Sequence, residues 1–377
     1  MFIPSLSTLV NNFHCYSVKI VHRRAETPAR VQSAAVRVRV GFLGAGLIAT
    51  YHSKSLRVSG ADVTWAGVYD PDEERARAFA AASGATVCGS EEEVVDGCDA
   101  VYVCTWTAEH PRLVALAAGR GRAVFCEKPL AVSLAAAREM AGLVADAGVT
   151  NQVGLVLRSS PALLAARRLV SDEVSGRVMS VVFRDDQYLP NQGMYRSTWR
   201  GEVAKAGGGT LLEHSVHDVD VLEWLVGSIE SVSAQSAEFH GLDGIEDVVS
   251  ASVRFAGGAL GALVSVWHDV LRRPSLRRIE VFCERLWCCV EGDWWGPVRW
   301  TRADGTSGVL EGPDLFTLAP STDGAYAGPG NPDAGFVRAA AEGAPAFPDL
   351  AVAVRAHEVL DAMYRSADDG GAPVATA

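Results

Sequence analysis

Four side chains that can exchange a proton fall into two groups. Glu213, His217 and Asp220 are spaced i, i+4 and i+7, so one helix would carry all of them on one face. A histidine there exchanges a proton near neutral pH, and a carboxylate one turn away orients it or acts beside it. Lys128 follows an apolar run, at the strand edge where open α/β sheets bind ligands. These residue types suit the oxidation of a secondary alcohol, which removes a hydride from carbon and a proton from oxygen.

A glycine-rich turn lies between a predicted strand and a predicted helix. Gly44 and Gly46 allow a tight turn and a close approach of the backbone to a pyrophosphate. Ala49 allows close packing of helix on strand, and Leu47 and Ile48 complete the turn into the helix. The complete context of strand, turn and helix predicts a dinucleotide site, with Gly44, Gly46, Leu47 and Ile48 as cofactor-binding residues.

The second predicted strand, 63–69, ends at an acidic residue. The carboxylate of Asp70 would accept hydrogen bonds from the adenosine ribose hydroxyls and would repel a 2′-phosphate. This predicts NAD rather than NADP. The alternative is that Asp70 only caps the helix before Pro71, and the two roles can coexist.

Strands and helices alternate in the first half of the chain, which predicts parallel βαβ units and a doubly wound sheet. The second half has longer strands interrupted by one helix over 210–225, which predicts an α+β domain with a large, mainly antiparallel sheet. We expect a disordered extension or a misassigned start over 1–35 and a dinucleotide-binding Rossmann domain over 36–157. A substrate and oligomerisation domain follows over 158–345, and then a C-terminal helical segment and tail over 346–377.

The composition excludes several classes of protein. The 377 residues are 49% hydrophobic, which is too apolar for a disordered chain. The net charge of −11 disfavours nucleic-acid and anionic-membrane partners, and no apolar run is long enough to span a bilayer. The eight cysteines lie partly in apolar runs, which predicts reduced thiols and a cytoplasmic location. They lack paired zinc-site spacing, and His214 with His217 makes a poor metal pair, so no metal is predicted.

Three motifs resemble one family. Glu127-Lys128-Pro129 is similar to the Glu-Lys-Pro signature of the glucose–fructose oxidoreductase/inositol dehydrogenase (Gfo/Idh/MocA) family. The segment 105–110 resembles the family's Thr-Pro-Asn-x-x-His loop but carries Trp and Thr at its second and third positions. The segment 207–220 resembles the family's glycine-rich motif ending in His-x-x-Asp. The motifs occur in the family's order and spacing, and the resemblance covers about residues 37–370.

The resemblance implies roles for individual residues. Thr105 and His110 would belong to the cofactor site, and Glu127 would face the nicotinamide ribose. The Lys128–Pro129 peptide, often cis in this family, would aim Lys128 at the substrate. Glu213 stands where the family usually has Asp, so its longer side chain reaches differently. The resemblance also implies an open-faced C-terminal sheet through which the chain forms a homo-oligomer, a dimer or a tetramer.

Polar and aromatic residues near these motifs are candidates for the substrate pocket. Tyrosine and arginine bind hydroxyls, and tryptophan stacks on the C–H faces of sugars. A purely structural role is the alternative for each of them. The candidates, which together indicate a polyhydroxylated small-molecule substrate, are Arg158, Tyr188, Tyr195, Trp199, Arg200 and His268.

The sequence therefore predicts an NAD-dependent dehydrogenase that acts on a secondary hydroxyl of a sugar, an inositol or a related polyol. Lys128, His217 and Glu213 are its predicted catalytic residues, and either Lys128 or His217 is the base. Two alternatives stay open. One is a redox-neutral, NAD-dependent glycosidase of the same fold. The other is a non-catalytic regulatory protein that binds the cofactor.

Overall fold

The computed structural model describes residues 37–192, 196–318 and 331–376. The expected extension over 1–35 and the candidate Tyr195 lie outside the described residues. Within these ranges the chain forms two sheets, one parallel and one mainly antiparallel, which confirms the predicted α/β class with an α+β second domain. No helix in the described ranges is long and apolar enough to cross a membrane.

The N-terminal sheet contains six described strands in the order β3-β2-β1-β4-β5-β6, all parallel. This order, with the first strand in the middle, is that of a doubly wound nucleotide-binding sheet, and ligands bind beyond the carboxyl ends of its strands. The elements are β1 Val38–Leu43, α1 Leu47–Val58, β2 Val63–Tyr69, α2 Glu73–Ser83, β3 Thr86–Val87, α3 Glu91–Gly97, β4 Ala100–Val103, α4 His110–Gly119, β5 Ala123–Cys126, α5 Leu134–Ala147 and β6 Asn151–Val153.

The C-terminal sheet contains nine described strands in the order β14-β13-β12-β11-β7-β10-β9-β8-β15. Its described pairs are antiparallel except for β7 and β10, which run parallel. The elements are α6 Pro161–Val170, β7 Val178–Tyr188, α7 Val203–Ala206, α8 Thr210–Glu213, α9 Ser215–Val226, β8 Ile229–Ala237, β9 Val248–Phe255, β10 Leu260–His268, β11 Leu276–Cys283, β12 Leu286–Glu291, β13 Val298–Arg302, β14 Ser307–Leu310, α10 Pro332–Glu342, α11 Leu350–Asp368 and β15 Val374–Ala375.

Helix α10 returns to the N-terminal sheet. Its Phe336 is fully buried and meets the rings of Tyr102 and Phe125 edge-on, at centroid distances of 5.4 and 5.5 Å. Tyr102 stacks in turn on Phe42, at 4.9 Å. Residues 332–342, which the sequence places in the second domain, pack on the first sheet, because their apolar side chains complete its aromatic core.

The predicted helix over 210–225 is interrupted. Helix α8 ends at Glu213, His214 lies between the helices with φ −114° and ψ −49°, and α9 begins at Ser215. The amide of His217 donates to the carbonyl of His214 over 3.0 Å. The expectation that Glu213, His217 and Asp220 share one helical face is therefore wrong. Glu213 ends α8, whereas His217 and Asp220 lie on α9.

Candidate active site

The glycine turn forms an anion-binding cradle at the start of α1. Gly44 has φ +91°, and a Cβ atom there would lie 2.5 Å from the carbonyl oxygen of Cys104, so only glycine fits. Gly46 precedes α1 and provides no side-chain cap, and a Cβ atom there would meet nothing within 4 Å. The first amides of α1 therefore face open space beside exposed Leu47 (44%) and Ile48 (38%). This arrangement fits the pyrophosphate of a dinucleotide.

Asp70 lies directly after β2 and is buried. Its Oδ2 accepts a hydrogen bond from the amide of Ala45 over 2.9 Å, and its Oδ1 accepts one from the amide of Asp72, also over 2.9 Å. The carboxylate thus fastens the glycine turn to the start of α2. Oδ2 also lies 3.6 Å from Nη1 of Arg75, whereas Oδ1 keeps a second lone pair for a ribose hydroxyl. The capping role and the cofactor role that the sequence predicts are therefore compatible.

His110 joins the loops that follow β4 and β5. Its Nδ1 lies 2.9 Å from the carbonyl oxygen of Pro129, and its Nε2 lies 3.3 Å from that of Thr105. Burial lowers the pKa of His110, so the neutral ring is favoured. A neutral imidazole has one N–H and both carbonyls are acceptors, so His110 donates to only one of them. The shorter contact is to Pro129, on the loop that contains Lys128.

Glu127 belongs to a buried triad that the sequence analysis missed. His52, on α1, places Nε2 2.9 Å from Glu127 Oε1 and Nδ1 2.7 Å from Asp333 Oδ1. Burial alone would lower the pKa of His52, but Asp333 and Glu127 outweigh it and raise the pKa to about 10. The protonated imidazole thus fixes Glu127 at the end of β5. No local signal marks this contact, since His52 and Asp333 are 281 positions apart.

Lys128 lies at the start of the loop after β5, and the peptide bond to Pro129 is cis, as the resemblance implies. Its Nζ donates to the backbone carbonyl of Glu213 over 2.6 Å. This bond brings the first-domain motif to the break between α8 and α9. Burial lowers the pKa of Lys128, and the charge of Glu213 opposes this effect.

Glu213 is fully buried, and both of its carboxylate oxygens have partners. Oε1 accepts from the hydroxyl of Thr107 over 2.9 Å, and Oε2 accepts from Arg200 Nε over 2.8 Å. Thr107 is one of the two residues at which the loop differs from the family motif, and Glu213 stands where the family usually has Asp. These two differences from the family are therefore in contact. The carboxylate positions Arg200 and the loop before α4, and its engaged oxygens do not favour the role in proton transfer that the sequence predicts.

His217 lies on the first turn of α9 and is buried. Within the described ranges its Nδ1 is buried and has no hydrogen-bond partner. Burial, followed by the charges of Lys128 and Arg277, lowers the pKa of His217 well below its usual value. The ring is therefore neutral near pH 7. Because Nδ1 is enclosed, Nε2 is the nitrogen that a ligand can reach, and no described residue bonds to it.

Asp220 and Arg158 pair with each other. Arg158 Nε lies 3.0 and 2.9 Å from the two carboxylate oxygens of Asp220, and Nη2 lies 2.6 Å from Oδ1. Arg158 lies in a 3₁₀ turn, Val156–Ser159, beyond the end of β6 at Val153. Both groups are buried, and their described side-chain hydrogen bonds are to each other. The pair anchors α9 to the first residues after the N-terminal sheet.

The other substrate candidates divide into two groups. Arg200 lies beside Glu213, and its guanidinium stacks on Trp199 at 4.4 Å from the ring centroid. Tyr188 and His268 face each other at the ends of β7 and β10, with ring centroids 5.6 Å apart. The hydroxyl of Tyr188 donates to the carbonyl of Arg273 over 2.6 Å. Among the described contacts, none joins Tyr188 or His268 to the group of Lys128 and His217.

A buried cation that the sequence analysis missed lies next to α9. Arg277, on β11, donates to Asp218 over 3.0 Å, to Asp293 over 2.8 Å and to Asp185 over 3.1 Å. Burial raises the pKa of Asp218 and of Asp185. The network fixes α9 on the C-terminal sheet and brings a positive charge towards His217. An arginine in a strand is too common a pattern to have marked it.

Two family models match the chain. Residues 38–155 match the oxidoreductase family with the NAD-binding Rossmann fold, GFO_IDH_MocA. Residues 163–287 match the GFO/IDH/MocA C-terminal domain. The matches cover the first sheet and the second as far as the start of β12, and they include the glycine turn, Lys128 and His217.

Curated and solved proteins agree with this assignment. The chain is 33% identical over 237 residues to 1,5-anhydro-D-fructose reductase from Ensifer adhaerens, which covers 61% of this chain and 68% of the relative. It is 34% identical over 203 residues to inositol 2-dehydrogenase from Cereibacter sphaeroides, and this match covers 52% of this chain and 56% of the relative. The crystal structure of GenD2 from gentamicin A biosynthesis in complex with NAD is 26% identical, has a TM-score of 0.76, and covers 93% of this chain and 99% of that one.

The matched segments span between about half and two-thirds of these two curated relatives. The motifs that carried the resemblance lie inside the two matched family models. The glycine cradle fits the cofactor that the first model describes. The chain therefore belongs to the Gfo/Idh/MocA family and is an NAD-binding oxidoreductase.

Proposed function

We propose that the protein interconverts a secondary hydroxyl and a ketone on a cyclic polyol or sugar, with NAD as its redox partner. The observation that carries this proposal is that Lys128 and His217 both bond to the break between α8 and α9. Lys128 is a half-buried amine, and His217 is a neutral imidazole whose Nε2 has no partner in the described chain. A substrate hydroxyl would supply that missing partner.

The residues of the chain handle the proton. Bound NAD supplies the acceptor for the hydride that leaves the carbon. Lys128 donates a hydrogen bond to the substrate oxygen, and His217 accepts its proton as the C–H bond breaks and the carbonyl forms. The lowered pKa of His217 favours its neutral form, whose lone pair can accept that proton. Lys128 can donate its hydrogen bond whether or not the amine is charged. Glu213 takes a positioning role, because Thr107 and Arg200 already hold both of its oxygens.

The residues that would hold NAD follow the carboxyl edge of the first sheet. The uncapped start of α1 at Gly46 would take the pyrophosphate, and Asp70 the adenosine ribose. Glu127, fixed by His52, would take the nicotinamide ribose. The carboxylate of Asp70 favours NAD over NADP, since it would repel a 2′-phosphate.

A cyclic, polyhydroxylated substrate fits both the residues and the relatives. The names of the relatives describe enzymes that act on an inositol and on an anhydro sugar. In this chain, Arg200 is stacked on Trp199 next to Glu213, where a guanidinium and an aromatic face could bind hydroxyls and C–H groups. A cytoplasmic location and a dimeric or tetrameric state stay predictions.

The test measures the absorbance of reduced nicotinamide with purified protein. Myo-inositol, scyllo-inositol and glucose would be offered with NAD or NADP, and 1,5-anhydro-D-fructose with NADH. A change with at least one substrate, larger with NAD than with NADP, is expected. Release of nitrophenol from nitrophenyl glycosides without net NADH would favour the redox-neutral glycosidase instead. NAD binding without either reaction would favour a regulatory protein.

Substitution of Lys128 tests its role. Lys128→Met should lower kcat by about 10²- to 10⁴-fold, the usual contribution of a group that handles the proton. The affinity for NAD, measured by fluorescence titration, should change little. Lys54→Met, at an exposed position on α1, is the matched control and should keep its activity. Equal turnover of the wild type and the Lys128 variant would refute the assignment.

A further inference from the structure

His214 has a fixed tautomer. The indole Nε1–H of Trp267 donates to His214 Nδ1 over 2.5 Å, and the two rings meet edge-to-face with centroids 5.5 Å apart. An indole nitrogen can only donate, so Nδ1 must be the acceptor nitrogen of the imidazole. The ring proton is therefore on Nε2. A doubly protonated ring would lose the bond to Trp267, so this contact also keeps His214 neutral.

His214 lies beside the catalytic group. His214 is partly exposed, and its Nε2 makes no hydrogen bond to any described residue. The neighbouring carbonyl of Glu213 accepts from Lys128 Nζ, and the carbonyl of His214 itself accepts from the amide of His217. Burial and then the charges of Lys128, Arg277 and Arg200 lower the pKa of His214 well below its usual value. These are the same cations that surround the site of proton transfer.

We propose that His214 is a specificity-determining residue whose Nε2–H donates to an acceptor oxygen of the substrate, next to the hydroxyl that reacts. The proposal rests on the proposed function. Lys128 and His217 bind the reacting oxygen and transfer its proton. His214, which is fixed as a donor, forms a hydrogen bond to a neighbouring oxygen of the substrate. That oxygen must have a free lone pair, so a second hydroxyl or a ring ether of a polyol satisfies the site and a methylene group does not.

Two substitutions separate the two nitrogens of the ring. Asn places an amide oxygen near the position of Nδ1 and keeps the acceptor for Trp267, but it does not reach the substrate. Gln places an amide N–H near the position of Nε2 and restores the donor. We therefore expect His214→Asn to raise the KM for myo-inositol by about five- to tenfold, the loss of one neutral hydrogen bond. His214→Gln should stay within about threefold of the wild type, and neither variant should change the affinity for NAD.

Deoxy analogues give a readout that a structural role would not move. The wild type should bind one of the monodeoxyinositols about five- to tenfold more weakly than myo-inositol, because the methylene leaves Nε2–H unpaired. This penalty should vanish in His214→Asn and return in His214→Gln, as in a double-mutant cycle. Equal penalties in all three proteins would overturn the proposal, and so would a loss of NAD affinity in place of polyol affinity.

The tautomer can be tested without a substrate. In protein labelled with ¹⁵N-histidine, the signals lost in His214→Gln should belong to an Nε2–H tautomer on both sides of the ordinary histidine pKa of about 6.5. A proton on Nδ1, or titration of the ring in that range, would overturn the proposal. If the wild type neither turns over nor binds the polyols in the presence of NADH, the proposed function fails and the role of His214 falls with it. If the wild type is active and the Asn and Gln variants behave alike, only the role of His214 falls.

Discussion

The buried triad of His52, Glu127 and Asp333 should make the free energy of unfolding of the protein depend strongly on one residue, His52. His52→Gln leaves two buried carboxylates without their cation. Removing one partner of a buried ion pair costs about 3–5 kcal/mol. The pKa of His52, raised from 6.5 to about 10 despite burial, agrees with this range, because one pKa unit is worth about 1.4 kcal/mol and the whole shift at most about 5 kcal/mol.

The sign of the pH dependence follows from the raised pKa. The folded protein binds the proton of His52 more tightly than the unfolded chain does. The contribution is therefore complete below about pH 6.5 and is lost as the pH rises towards about 10. The difference in stability between the wild type and His52→Gln should be largest near pH 6 and should fall to about a third of that value near pH 9.

Urea unfolding followed by tryptophan fluorescence measures this difference across the pH range. His240→Gln is the matched control, because His240 also lies 2.7 Å from a carboxylate, that of Asp247, but is partly exposed. In this variant the carboxylate of Asp247 still accepts hydrogen bonds from the backbone amides of Phe239 and His240. The free energy of unfolding of the control should therefore fall by no more than about 1 kcal/mol. A difference between the wild type and His52→Gln that stayed constant from pH 6 to pH 9 would refute the triad as the source of the stability.

Other substitutions test the cradle and the domain anchor. Gly46→Ala should leave the unfolding midpoint unchanged, because a Cβ atom there meets nothing within 4 Å, yet it should weaken NAD binding by about tenfold or more by filling the space for the pyrophosphate. Gly44→Ala should instead destabilise the fold, since its Cβ atom would lie 2.5 Å from a carbonyl oxygen, and a normal midpoint would contradict this. Arg158→Ala should cost about 3–5 kcal/mol by leaving Asp220 buried and unpaired, as measured by urea unfolding. If Arg158→Ala lowered the affinity for substrate but not the stability, Arg158 would bind substrate rather than anchor α9.

The sequence was most informative where the signal is local. The glycine turn and the strand before it lie within a few residues of each other, and their meaning depends on backbone conformation that only glycine allows. The α/β class and the family, predicted from this turn and from the motifs at Lys128 and His217, are confirmed. The lone lysine after a buried strand was also readable, because strand and loop are adjacent in the chain.

The residues that were missed or misplaced depend on distant contacts. A helix running through His214 was a reasonable reading of the pattern, but the break there sends Asp220 to Arg158 and leaves Glu213 with Arg200. Spacing alone cannot show such a break. The indole that donates to His214 belongs to Trp267 on β10, which is 53 positions away in the chain.

The return of α10 to the first sheet sets the order in which the protein can mature during synthesis. The aromatic layer of that sheet is completed by Phe336, and the second carboxylate of His52 is Asp333. Nearly the whole chain must therefore leave the ribosome before the first domain has its full core. We expect the nascent N-terminal half to expose an apolar face meanwhile. A fragment that stops at residue 157 should be prone to aggregate, although it contains all six described strands of its sheet.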